Sequence, residues 1–192
     1  MSTTPDGRPG GTKASPSGTP MDGAAAQRPD VRPGTPAANP RVVRAVRDAG
    51  LDVEFTVRPP AANLPEAAAL LGITAADVVK SLVVRRSGGE YLFALVPGDR
   101  QISWPKLRAA VGVNKLSMPS PAVALEATGY ERGTITPLGS SSAWPVYADE
   151  RIRGRRVSMG AGAHGVNLFV SADDLLQALA AVVTDITDPN PA

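Results

Sequence analysis

Apolar residues recur along this chain with two periods, and the switches between them mark out its elements. Val42, Val43, Val46 and Ala49 fall at helical spacing, with Arg41, Arg44 and Arg47 on the outer side and Gly50 as a stop. From Asp52 to Val57 the period drops to two, placing Val53, Phe55 and Val57 on one side of a strand that Pro59-Pro60 ends. Leu64 to Leu71 predicts a short helix closed by Gly72. Thr74 is expected to cap another, with Asp77 in place of the usual capping-box Glu, running straight into an extended stretch from Lys80 to Arg86. Gly88-Gly89 supplies a hairpin turn, and Tyr91 to Val96 is the return strand.

The second half is patterned in shorter pieces. Trp104 to Val111 predicts a helix led by Ser103 with Pro105 in its first turn, and Lys115 to Met118 a brief strand. Ala122 to Thr128 predicts a helix ended by Gly129, and Gly133 to Pro137 a loop. Trp144 to Ala148, Arg156 to Met159 and Val166 to Val170 read as strands, the last two around a glycine-rich turn. Ser171 caps a final helix, Asp173 to Val182, whose first turn carries acidic residues as the helix dipole prefers. Short turns between several strands favour antiparallel pairing. The fold class expected is mixed α/β (α+β) with a curved sheet.

Composition divides the chain. From Met1 to Pro40 the only hydrophobic residues beyond alanine are Met1, Met21 and Val31, too few to offset chain entropy. Residues 1–40 are therefore expected to form a disordered tail, with a tether or weak RNA contact through Arg8, Lys13, Arg28 and Arg32 as its functional alternative. The folded domain is expected over 41–187, followed by a short C-terminal tail, 188–192.

Absent residue types narrow the chemistry. There is no cysteine, which removes disulfides and thiolate catalysis, and His164 is the only histidine, which argues against zinc and leaves one residue on which a Ser-His-Asp arrangement could be built. A net charge of +2 is far from that of a dedicated DNA binder but compatible with transient contact to an RNA end. No stretch has the length of a membrane-spanning helix and the N-terminus lacks a secretory pattern, so a cytoplasmic protein is expected.

Several places could carry chemistry. In Val78-Val79-Lys80-Ser81-Leu82-Val83-Val84 an extended backbone puts Lys80 on the side of Leu82 and Val84, an unusual position for a lysine unless it is paired, functional or snorkelling to water. Gly129, Gly133, Pro137 and Gly139 imply a loop of special geometry that can aim N–H groups at an anionic oxygen, or a plain structural turn. Gly160 to Asn167 would let a ligand approach the backbone, although a hairpin turn explains it equally well. His164 is a general base by type, but its setting is that of a solvated loop residue. The run Arg151, Arg153, Arg155 and Arg156 could meet phosphate, or be a solvated turn beside Asp149 and Glu150.

The order of these pieces carries a resemblance. Leu71-Gly72, Val79-Lys80-Ser81-Leu82-Val83, Leu95-Val96-Pro97-Gly98-Asp99, Thr128-Gly129-Tyr130 through Pro137-Leu138-Gly139, and Gly160 to Asn167 together resemble the YbaK family of aminoacyl-tRNA deacylases, which includes the editing domains associated with prolyl-tRNA synthetase. The likeness extends over about residues 41–187. It implies a curved, barrel-like mixed sheet flanked by helices, and hydrolysis of the ester between a wrong amino acid and the tRNA 3′ end.

Carried over residue by residue, it implies Lys80 and Gly133 as catalytic, with Thr134, Ile135, Thr136, Pro137, Gly162 and Asn167 binding substrate. Neither metal nor other cofactor is implied. The partners implied are mischarged aminoacyl-tRNA, read at its 3′ end, and a synthetase as an open second partner, with neither membrane nor DNA. Asn167 stands where the subgroup acting on Cys-tRNA(Pro) has an aspartate, and Val57-Arg58-Pro59 lacks that subgroup's tyrosine. These departures leave open a non-catalytic module of the same fold that binds aminoacyl-tRNA or a synthetase.

Overall fold

A computed structural model describes residues 37–191. The tail expected over 1–40 lies outside the described residues as far as position 36, but its last residues already belong to the fold. The Asn39 side chain accepts from the Arg41 N–H and caps helix α1 (Pro40–Asp48), whose Val42 and Val46 are buried. The Asn39 N–H donates to the Ala161 carbonyl, tying the helix start to a turn far along the chain.

The first strand, β1 (Val53–Val57), leads to α2 (Leu64–Leu70). Asn63 caps α2 by accepting from the Glu66 N–H, and the Glu66 carboxylate reaches back to the Ala62 N–H, so two of the helix's free donors are satisfied reciprocally. The helix expected after Thr74 is only a one-turn 3-10 segment, Ala75–Asp77. The Thr74 hydroxyl bonds the Asp77 carboxylate instead of capping the backbone, so nothing extends the turn into a helix.

The strand β2 (Val79–Arg86) and its return β3 (Tyr91–Pro97) form the expected hairpin. A short β4 (Arg100–Ile102) precedes α3 (Trp104–Val111), and β5 (Leu116–Ser117) precedes α4 (Pro121–Thr128). Then come β6 (Val146–Asp149), β7 (Arg156–Gly160), β8 (Val166–Ser171), α5 (Ala172–Ala178), β9 (Val182–Thr184) and β10 (Thr187–Pro189).

Strand pairing among the described residues gives sheets ordered β1-β8-β7, β10-β4 and β5-β2-β3-β6-β9, with no closed ring of strands. The five-stranded sheet is mixed, as expected: β2 pairs antiparallel with β3 and β5, while β3–β6 and β6–β9 are parallel. The parallel pairs follow from long connections, since a tight turn cannot join parallel strands. Where Val78 bridges Ser158, the sheet of β2 meets the sheet of β7.

The apolar run of β2 is explained by cover on both faces. Val79 and Val83 enter the larger core with Phe93, Leu95, Met159 and Leu168, whereas Val84 joins a smaller core with Leu92, Val96, Leu107 and Ile186. Leu82 packs against that smaller core, and Lys80 stands at the end of the same face.

Two further expectations are corrected. The last helix ends at Ala178 and not near Val182, which lies in β9. The Ala180 N–H bonds the Gln177 carbonyl and the Ala181 N–H that of Leu176, with Ala180 at φ +47. This closure is usually signalled by glycine, and here an alanine takes it. The C-terminal segment is likewise no free tail up to position 189, because Thr187–Pro189 pairs with Arg100–Ile102.

Candidate functional site

A cleft of about 590 Å³ opens between α2, β2, α4 and the loop after Gly129. Lys80, Gly133, Ile135 and Asn167 all line it, so four of the residues singled out in the sequence converge. Arg58, Ser81 and Arg132 line it as well, and no carboxylate does.

The loop wall is fixed at both ends. Gly129 takes φ +71 as it closes α4, and the Arg41 guanidinium donates to its carbonyl at 2.8 Å while lying 4.4 Å above the Tyr130 ring. The buried Tyr130 hydroxyl donates to the Leu138 carbonyl at 2.8 Å, pinning one end of the loop to the other. Burial raises the Tyr130 pKa, which keeps its hydroxyl a donor.

Inside that span the Thr134 hydroxyl donates to the Glu131 carbonyl, and the Thr136 hydroxyl accepts from the Leu138 N–H. Both threonines are buried and brace the loop. The Gly162 N–H donates to the Thr134 carbonyl at 3.1 Å, holding the loop against the turn between β7 and β8. Thr134, Thr136, Pro137 and Gly162 therefore sit behind the cleft wall, and Gly133 and Ile135 form its surface.

Gly133 is at φ +89, a conformation that other residues adopt only under strain, and the position of an added Cβ faces open space. Among the described residues the Gly133 and Ile135 N–H groups meet no acceptor. These are donors held rigidly beside a cleft, the arrangement that stabilises a developing oxyanion.

Lys80 is half-buried, and its ammonium donates to the carbonyls of Gly98 (3.4 Å) and Arg100 at the turn between β3 and β4. Burial lowers its pKa, while the charge of Asp99 works in the opposite sense. The side chain thus ties down the turn, and the residue lines the cleft.

Asn167 and Arg58 form the far corner. The pairing of β1 with β8 sets Thr56 opposite Asn167, which brings the next turn of chain, Arg58, to the amide. The Arg58 Nε–H donates to Asn167 Oδ1 at 3.1 Å, and Asn167 Nδ2 donates to the Ser158 hydroxyl at 3.3 Å. A second Arg58 nitrogen donates to the Pro59 carbonyl. At the floor, the Ser81 hydroxyl is buried without a hydrogen-bond partner. Neither Arg58 nor Ser81 was selected as a site residue from the sequence. Arg58 reaches the cleft only through a contact 109 positions away, and the strand pattern hid Ser81 between two core valines.

Other candidates lie elsewhere. His164 is exposed, bonds the Glu131 carboxylate at 2.8 Å and does not line the cleft. In the arginine run, Arg151 pairs with Asp149 and Asp185, Arg155 with Asp77, and Arg156 with Glu54. Three of the four arginines of the run are thus held in ion pairs, and Arg153 is exposed. Among the described residues no helix is long and apolar enough to cross a membrane.

Residues 58–178 match the family model of the aminoacyl-tRNA editing domain. A proline–tRNA ligase of Thermosipho melanesiensis is 34% identical over 100 residues, which are 52% of this chain and 17% of the ligase. A proline–tRNA ligase of Shouchella clausii is 36% identical over 125 residues, 63% of this chain and 22% of the ligase. The chain thus spans about a fifth of these ligases. A crystal structure of a candidate trans-editing enzyme for prolyl tRNA synthetase is 28% identical with a TM-score of 0.68, covering 79% of this chain and 99% of that one.

Proposed function

This chain belongs to the aminoacyl-tRNA editing domain family, and from that premise we propose that it hydrolyses the ester joining a wrong amino acid to the 3′-terminal adenosine of a tRNA. The observation that carries the reading is the meeting of Lys80, Gly133 and Ile135 on one cleft free of carboxylates. An aminoacyl ester is already activated, so positioning and charge stabilisation suffice without a side-chain nucleophile.

In this reading the ester carbonyl lies against the loop after Gly129. Water adds to the carbonyl carbon, and the negative charge that collects on the carbonyl oxygen is met by the N–H groups of Gly133 and Ile135. The bond to the ribose oxygen then breaks, that oxygen takes up, through solvent, the proton that the attacking water gave up, and the free amino acid leaves. Lys80 holds substrate oxygens by charge, and its ties to the Gly98 and Arg100 carbonyls fix the position of its ammonium.

The likeness to parts of proline–tRNA ligases and to a candidate trans-editing enzyme supports tRNA(Pro) as the carrier. In the same reading Asn167 and Arg58 shape the far end of the cleft, and the unpartnered Ser81 hydroxyl meets the amino-acid side chain. The test is direct. Purified protein is mixed with tRNA(Pro) charged with Ala, Cys, Ser or Thr, and free amino acid is followed against spontaneous hydrolysis. Accelerated release of at least one is expected, and release at the spontaneous rate for all of them contradicts the proposal.

A further inference from the structure

A second, shallower groove of about 350 Å³ lies beyond the cleft, lined by Arg85, Arg86, Ser87, Gly88, Lys115 and Ser117. It has three cationic side chains and no carboxylate in its wall. Arg86 pairs with Glu90 at 3.3 Å, yet its buried Nε–H has no partner. Arg85 is exposed on β2 and Lys115 is exposed just ahead of β5, the two strands pairing Arg85 with Ser117 and Arg86 with Leu116. Three cationic side chains around a groove whose lining holds no carboxylate call for an anionic partner, and phosphate oxygens fit that demand.

The groove adjoins the cleft along two segments of the chain. Ser81 and Val83 line the cleft while Arg85, on the same face of β2, lines the groove. On the neighbouring segment, Ser117 lines the groove and the next residues, Met118 and Pro119, line the cleft. From Val79 to Arg85 the strand covers roughly 20 Å, a length that a few nucleotides of single strand bridge. β5 is the outer strand of its sheet, which leaves this side of the groove open.

We infer that the groove of Arg85, Arg86 and Lys115 holds the phosphate backbone of the RNA strand whose 3′ end enters the cleft. The inference rests on the deacylase reading for the identity of that strand. Phosphate contacts of this kind set orientation and affinity and read no base. They account for how a chain with a net charge of only +2 holds RNA, because the charge is concentrated along one path.

The experiment compares the full-length protein with its Arg85→Ala/Arg86→Ala/Lys115→Ala variant in two assays. Binding of uncharged tRNA is titrated over a range of salt. Hydrolysis is measured on aminoacyl-tRNA and on aminoacyl-adenosine, which has no strand to fill the groove. The variant is expected to bind tRNA about tenfold or more weakly, with a log–log salt slope shallower by about 2. It should lose a similar factor of kcat/KM on aminoacyl-tRNA and keep the wild-type rate on aminoacyl-adenosine. Unchanged tRNA binding, absence of tRNA binding by the wild-type protein, or equal loss on both substrates overturns the inference. If the wild-type protein hydrolyses neither substrate, the deacylase reading fails while the tRNA titration still decides the groove.

Discussion

Two polar regions of this molecule treat charge in opposite ways. Around Asp149 the charges of Arg151, Asp185, Lys106 and Asp188 are answered. The fully buried Asp149 carboxylate accepts from the Arg151 backbone and side chain, the Ile186 N–H and the Thr187 hydroxyl, while Lys106 ties down Asp185 and Asp188. In the cleft, Arg58, Lys80 and Arg132 meet carbonyls, an amide or open space but no carboxylate of the wall, and the Ser81 hydroxyl has no partner. The first pattern joins the C-terminal strands to the sheet. The second leaves cationic and donor groups available to something that is not protein.

If that contrast holds, mutations at the two places separate stability from activity. The largest effect is expected for Asp149→Ala, which orphans the Ile186 N–H and the Thr187 hydroxyl and costs about 3 kcal/mol of unfolding free energy. Chemical denaturation measures it, and hydrolysis by the molecules that remain folded should be near normal. Gly133→Ala reverses the balance. The +89 φ makes alanine cost about 1–2 kcal/mol, but displaced N–H groups should lower kcat by about a hundredfold. A single-turnover assay beside a melting curve resolves the two effects.

Smaller effects sharpen the same distinction. Ser81→Ala removes a hydroxyl that no protein group uses, so stability should stay within about 0.5 kcal/mol. The ratio of rates on Ser- and Ala-charged tRNA should fall, within about tenfold.

Asp185 offers the mildest test. Hydrogen bonds from Lys106 and then Arg151 lower its pKa from 3.8 to about 2. A carboxylate depressed in the folded state stabilises the protein above its unfolded pKa and loses that contribution as pH falls through the folded value. Wild-type protein should therefore lose a small increment of stability between about pH 4 and pH 2. Asp185→Asn should lack that increment, kept well under about 1 kcal/mol by solvent screening of a side chain 37% exposed. Urea midpoints across that range measure it.

Much of this was legible in the sequence where the cause is local. The β2–β3 hairpin follows from its glycines and alternation, the start of α3 from Ser103 and Pro105, the end of α4 from Gly129, and the Gly133 loop from its glycine and proline spacing. Lys80 stood out because a charged residue sat on an apolar face. What stayed hidden depends on partners distant in sequence. Arg58 is a cleft residue only because β1 pairs with β8, and Asp149 becomes a hub through Ile186 and Thr187. The end of α5 was misread because Ala180 occupies a conformation that glycine usually announces.

The central claim is that the Lys80 ammonium and the Gly133 loop act on one bound ester. It is tested most directly by comparing Lys80→Ala with wild type on mischarged tRNA(Pro), each checked for a cooperative melting transition. A folded variant with kcat/KM reduced about a hundredfold or more is the predicted result. A folded variant that hydrolyses the ester within a few-fold of the wild-type rate would contradict it.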